Sequence, residues 1–182
     1  MERMASLQID EVLKEVQLFG GAFTCNLPSA FQDVSSLRDI PDNQEVWVHS
    51  SHDQSIIVEL VEYQNIPDHQ AAGYHFQDLA ESNSSTQEET QVSSVVPLPL
   101  EQLSMNQLSS GWLLSGTQKV AKFNKPDEST IKILLSVLRL PAHTTDILVS
   151  FNCPIELGAD DDTEMFASVL KSIKLLNPSI FV

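Results

Sequence analysis

Three β-type runs follow one another closely in the C-terminal half of this chain: Gly111 to Phe123, Thr130 to Leu140 and Asp146 to Asn152. The segments between them are shorter than the roughly dozen residues a parallel crossover takes, so the strands pair antiparallel. In the last run Ile147, Val149 and Phe151 share one face and Asp146, Ser150 and Asn152 the other, with Leu148 breaking the alternation. In the first, Trp112, Leu114 and Val120 share parity, and Gly116 is a candidate bulge position. Pro141-Ala142-His143 forms the turn between the second and third runs.

The N-terminal half carries shorter strands. Residues 1–15 form a polar leader in which Ser6 to Glu15 either makes a short amphipathic helix or frays. Two apolar runs then flank Gly20-Gly21, as a hairpin or as one strand bent by a bulge. The pair is not a phosphate-cradling loop, since neither Lys-Ser/Thr nor a further glycine follows. Pro28 to Leu37 reads as a loop with one helical turn, and Pro41-Asp42-Asn43-Gln44 as a turn. Glu45 to His49 and Gln54 to Tyr63 are rich in β-type residues, and Val92 to Val96 makes a further short strand. Glu81 to Gln91 is an exposed polar loop, and Leu100 to Leu108 holds a helical turn or two.

Two helices complete the pattern. Pro67 to Ala80 places Ala71, Tyr74, His75 and Leu79 roughly on one face. Thr163 to Leu176 carries an apolar stripe of Phe166, Val169, Leu170, Ile173 and Leu176. Asp160, Asp161 and Asp162 stand at its positive end, Lys171 and Lys174 near its negative end, and Asn177-Pro178 stops it. Strands joined by short turns with two amphipathic helices give one α+β domain over residues 16–182. A chain of 182 residues suffices for one such core.

Charge narrows the partners. The chain has 25 acids against 10 Lys plus Arg, a formal net charge of −15. Between Arg38 and Lys119 there is no Lys or Arg, while twelve acids occur. Such a surface repels phosphate backbones, excluding nucleic acid as a direct partner, and attracts a basic protein. Solubility alone is the plainer reading of the same charge. No apolar run approaches the ~20 residues needed to cross a bilayer. Residues 1–16 carry four acids and no apolar core of a signal sequence, so a nuclear or cytoplasmic location is expected.

Nothing in the sequence assembles a catalytic constellation. GxSxG, Walker, GxGxxG and HExxH motifs are missing. His49 and His52 sit at a strand end, where their spacing sends the rings to opposite faces. His75 reads as packed or hydrogen-bonded, and His143 as solvated. Acid pairs such as Asp53 with Glu59 or Glu88 with Glu89 arise by chance in a chain this acidic. Trp47 and Trp112 have the spacing of core or sheet-face residues. Cys25 and Cys153 are expected as reduced, packed thiols.

Several blocks, in order, resemble the Ran guanine nucleotide release factor family, the Mog family. They are Gln17 to Phe23 (QLFGGAF), Asp33 to Arg38, Ile40 to Val46 (IPDNQEV), Asp53 to Leu60, and Tyr74 to Leu79 (YHFQDL). The C-terminal half agrees more loosely, through Trp112 to Gly116, Leu138 to Pro141, Thr145 to Leu148 and Asn177 to Phe181. The resemblance implies a central antiparallel sheet of about six strands flanked by helices on both faces, a fold shared with the PsbP proteins of photosystem II. It implies a protein that binds the GTPase Ran and releases its guanine nucleotide in nucleocytoplasmic transport. Such release requires no covalent step, so a non-enzymatic regulator without a cofactor is expected, with a monomer as the default. It assigns Ran binding to Asp42 and Glu45; Asp33, Arg38 and Asp39 join them as neighbours in sequence. Animal relatives are also linked to surface delivery of a voltage-gated sodium channel. By residue type alone, Asp42 is instead a turn residue bonding its own backbone, and Glu45 a solvated strand end. The rivals to the implied function are a PsbP-like accessory protein and an acidic adaptor without nucleotide-release activity.

Overall fold

The close-set C-terminal strands pair antiparallel, as their connections require, and carry the middle of a larger sheet. The computed structural model describes residues 12–121, 128–157 and 162–181. Strands β1 (Leu13–Leu18), β2 (Phe23–Pro28), β3 (Phe31–Asp33), β4 (Gln44–His49), β5 (Ser55–Glu62), β6 (Thr90–Pro97), β7 (Ser110–Ala121), β8 (Glu128–Leu140), β9 (Thr145–Pro154) and β10 (Lys174–Leu175) alternate with helices α1 (Asp68–Ser82) and α2 (Asp162–Ser172). Seven of the strands form one antiparallel sheet in the order β3-β4-β5-β9-β8-β7-β6, and β1-β2-β10 form a second, small one. The α+β class with helices on both faces holds; the main sheet has one strand more than expected, and the small sheet was not foreseen.

Burial explains why β8 reads as a continuous apolar run. Its Ile133, Leu135 and Val137 pack with Leu114 of β7 and with Ala71, Ala72 and Phe76 of α1. Its Leu134, Leu138 and Leu140 turn to the opposite face, where Val149 and Phe151 of β9 meet Phe166, Val169 and Leu170 of α2 and Leu18, Phe23 and Leu27 of the small sheet. A strand covered on both sides has no polar face to show. Each fully buried Leu or Phe contributes about 1.5–3 kcal/mol, so the two packed layers fix the α1 and α2 positions. No helix among the described residues is long and apolar enough to cross a membrane.

Several local expectations change. Gly20-Gly21 sits in a hairpin, with β1 and β2 in register from Leu13↔Pro28 to Leu18↔Phe23. β1 therefore starts inside the stretch read as a leader, so Leu13 to Glu15 are strand, and the Val12 carbonyl just before them accepts from the Ser29 amide; residues 6–11 of the alternative helix lie outside the described residues. Within Pro28 to Leu37, Phe31–Asp33 pairs with β4, and Val34 then accepts from the amides of both Leu37 and Arg38. On α1 the buried stripe is Ala71, Ala72, His75, Phe76 and Ala80, small residues that bring the helix close to the sheet; Tyr74 is turned outward. The Glu81 to Gln91 loop is shorter than read, because α1 runs to Ser82 and β6 begins at Thr90. Leu100–Gln102 is a single 3-10 turn. α2 ends at Ser172, since Lys174 and Leu175 pair with Thr24 and Phe23 instead; Leu176 is exposed. Asp160, Asp161 and residues 122–127 lie outside the described residues.

The irregularity expected at Gly116 falls on its partner, between Val92 and Ser94 of β6. Gly116 itself answers to a close approach: a Cβ there would lie 2.6 Å from the Gln91 carbonyl oxygen and 2.6 Å from Cζ of the buried Phe76. Neither a ladder carbonyl nor a packed ring yields cheaply. Gly116→Ala is expected to cost about 1–3 kcal/mol, read as a lower urea midpoint with an unchanged slope.

Candidate functional site

The Pro41–Gln44 turn closes through the Gln44 amide, which donates to the Pro41 carbonyl at 2.9 Å. Asn43 ties it to the sheet twice. Its carbonyl accepts from the Leu60 amide at 2.9 Å, and its Nδ2 donates to the Leu60 carbonyl at 3.0 Å and to Glu59 Oε1 at 3.3 Å. Asp42 is left at the tip, exposed, and its carboxylate has no hydrogen bond or ion pair among the described residues. The role of bonding its own backbone, expected of Asp42 from residue type, belongs to Asp33. There Oδ1 accepts from the Ser35 amide at 2.8 Å and Oδ2 from the Ser35 hydroxyl at 2.9 Å.

Glu45 is not a solvated strand end. It is half-buried, and its Oε1 accepts from the Phe19 amide at 2.5 Å. Phe19, Gly20 and Gly21 all have positive φ, at 51°, 66° and 90°. The QLFGGAF block thus makes a left-handed turn whose first amide points across to β4. Burial pushes the Glu45 carboxyl up, the Phe19 amide offsets part of that, and the charge of Asp33 adds to the rise. Beside it the Cys25 thiol is pushed up to about 12, by burial first and then by Glu45. Cys25 and Cys153 are both free and buried, as expected.

Asp33, Asp42, Glu45 and Glu62 line one open groove of about 1010 Å³, together with Phe19, Ile40, Leu60, Ile180 and Phe181. Among the described residues, no Lys or Arg lines it. Its far wall is the 3-10 turn Pro178–Phe181, where Phe181 stacks on His143 with centroids 4.7 Å apart and meets Phe23 edge-on at 6.0 Å. Of the five residues singled out in sequence, Asp42, Glu45 and Asp33 come together here. Arg38 faces a second hollow of about 480 Å³ with His49, His52 and Asp53, and Asp39 lines neither. Glu62 and Phe181 were missed. Glu62 follows Leu60 by one strand repeat, which was a usable signal; Phe181 reaches the groove through tertiary folding alone.

The histidines divide. The rings of His49 and His52 are 4.6 Å apart, not on opposite faces, because the strand stops at His49 and the chain turns back. His49 Nδ1 accepts from the amides of Ser51 and His52, each at 3.1 Å. His75 is buried and hydrogen-bonded, as expected, with Nε2 2.9 Å from Asp146 Oδ2. Asp146 also accepts from Arg139 Nε at 3.1 Å, and both residues are fully buried.

Fold and groove together define an α+β domain of the helix-flanked sheet type with an acidic, partly aromatic recess at the strand ends. Residues 16–154 match the family described as Ran-interacting Mog1 protein. The chain belongs to that family. It is 43% identical over 178 residues to the Ran guanine nucleotide release factor of Danio rerio, covering 90% of this chain and 97% of that one. It is 35% identical over 145 residues to the nuclear import protein mog1 of Schizosaccharomyces pombe, covering 77% and 76%. The crystal structure of the Saccharomyces cerevisiae Ran-binding protein Mog1p superimposes with a TM-score of 0.74 at 26% identity, covering 94% of this chain and all of that one. The solution structure of PsbP from Synechocystis, at TM-score 0.62 and 12% identity over 97% and 99% of the two chains, shares the fold alone.

Proposed function

We propose that this chain binds Ran through the acidic groove and promotes release of its guanine nucleotide, as a non-catalytic regulator of nuclear transport in nucleus and cytoplasm. The observation that carries the reading is Asp42: a carboxylate without a partner among the described residues, held out on a turn that Asn43 pins to β5. A cation that meets it breaks no existing bond, and the pinned turn has little freedom left to lose. Charge-assisted contacts of this kind are each worth about 2–5 kcal/mol once desolvated. Asp33 and Glu62 extend the negative field, and Phe181 and Leu60 offer apolar surface to the stem of a Lys or Arg.

Release needs no bond chemistry. A protein that binds empty Ran more tightly than loaded Ran weakens nucleotide binding by the same factor. The test is Ran loaded with a fluorescent guanine nucleotide, followed as this protein is titrated in. The release rate is expected to rise with concentration, to saturate, and to fall as salt is raised, since exposed charges separated by more than ~8 Å are largely screened at physiological ionic strength. Binding without acceleration would make the chain an acidic adaptor; no binding in either nucleotide state would overturn the assignment.

A further inference from the structure

We infer that Glu45 serves binding as a positioning residue, acting through the Phe19 amide to hold the Phe19–Gly21 turn in the groove wall, while Asp42 makes the contact. The inference rests on the groove being Ran's site and departs from the equal roles that the resemblance gives these two acids. Leu18↔Phe23 is the last register pair of the hairpin, so the Phe19 amide falls outside the ladder. Its hydrogen bond goes to Glu45 Oε1, 26 residues away, in the other sheet. Phe19 stands at φ 51°, a conformation favoured by glycine, and is followed by two glycines that need no such support. The same residue lines the groove and packs edge-on to Phe23 at 5.8 Å. Releasing its amide would leave a part-buried donor unpaired and free the turn to move.

Glu45 is correspondingly ill placed as a first contact. One carboxylate oxygen is engaged, the side chain is half-buried, and burial together with Asp33 disfavours its charged form. Asp42, three residues earlier, is exposed and has no partner among the described residues. A neutral amide at position 45 can still accept from Phe19; a methyl cannot.

Two readouts on the 182-residue chain decide this. In the isotope-labelled protein, the Phe19 amide proton should move downfield as pH rises and Glu45 ionises. Its midpoint should lie above the ordinary glutamate value, and the titration should vanish in Glu45→Gln. In Ran binding, Glu45→Gln should stay within ~3-fold of the parent, while Glu45→Ala and Asp42→Asn each lose ~10-fold or more. If Glu45→Ala does not fold, the Glu45→Gln arm decides by itself: parent-like affinity supports the latch, and a loss matching Asp42→Asn overturns it. A Phe19 amide that ignores pH overturns it as well. Should the parent fail to bind Ran, the function assigned to the groove falls, and the amide titration still decides whether the latch exists.

Discussion

Asp42→Lys should abolish Ran binding at concentrations that saturate the parent, with the far-ultraviolet circular dichroism spectrum unchanged. The fold has nothing to lose at this position. The side chain is exposed and bonds nothing among the described residues, and the turn is closed by the Gln44 amide and by Asn43, neither of which the substitution touches. Binding loses a desolvated contact and gains a like-charge clash. Losing the contact alone is worth about 2–5 kcal/mol, or roughly 30-fold to several thousand-fold in affinity. The control is Asp39→Lys, which changes the net charge by the same amount on an exposed residue that lines neither hollow. It should weaken binding by less than about threefold at physiological salt, where a general field is screened. Equal losses in the two variants would mean that diffuse charge, and not the held carboxylate, attracts the partner.

Some of this was legible in the chain itself. Short connections fixed antiparallel pairing for β7, β8 and β9, and Pro41-Asp42-Asn43-Gln44 announced its turn by residue type. The rest depended on contacts between distant segments. Phe31–Asp33 and Lys174–Leu175 are too short to show a period, and each becomes a strand because a neighbouring edge offers ladder partners. Such pairing also ends α2 before its apolar stripe does. The groove draws its walls from residues near 17–20, 33–45, 60–62, 144–145 and 180–181, which no local pattern joins. The solvated strand end that residue type suggests for Glu45 fails for the same reason: its partner is an amide freed by a turn 26 residues upstream. Arg139 and Asp146 gave no local signal: neither has another charge close by on its own strand, and only the pairing of β8 with β9 and the docking of α1 bring them together under cover. The YHFQDL, LRLP and TDIL blocks that carried part of the resemblance turn out to supply His75, Arg139 and Asp146, the members of one buried cluster.

That cluster sets the largest stability effect expected of a single substitution. Arg139 and Asp146 stand directly opposite each other in the β8–β9 ladder. Besides Asp146, the guanidinium donates to Asp68 Oδ1 at 2.7 Å, to the Ile66 carbonyl at 2.9 Å and to the Gln64 carbonyl, and it stacks over the Tyr63 ring at 4.1 Å. One side chain therefore fastens the β5–α1 connection to the sheet centre. Arg139→Leu would leave the Asp146 carboxylate buried with only His75 and the Gln64 amide, take the guanidinium donor from the Ile66 carbonyl, and leave the Gln64 carbonyl with the Ile66 amide. Stranding one member of a buried pair costs about 3–5 kcal/mol, a large share of the 5–15 kcal/mol that typically holds a domain together. Urea unfolding followed by tryptophan fluorescence should show the midpoint falling accordingly. Arg139→Leu combined with Asp146→Leu should recover part of the loss, because replacing both charges removes the stranded carboxylate that makes the single change severe. If the double variant is as unstable as the sum of the two single ones, the pair is not coupled, and the cost lies in the other contacts of Arg139, to the Ile66 and Gln64 carbonyls, Asp68 and the Tyr63 ring.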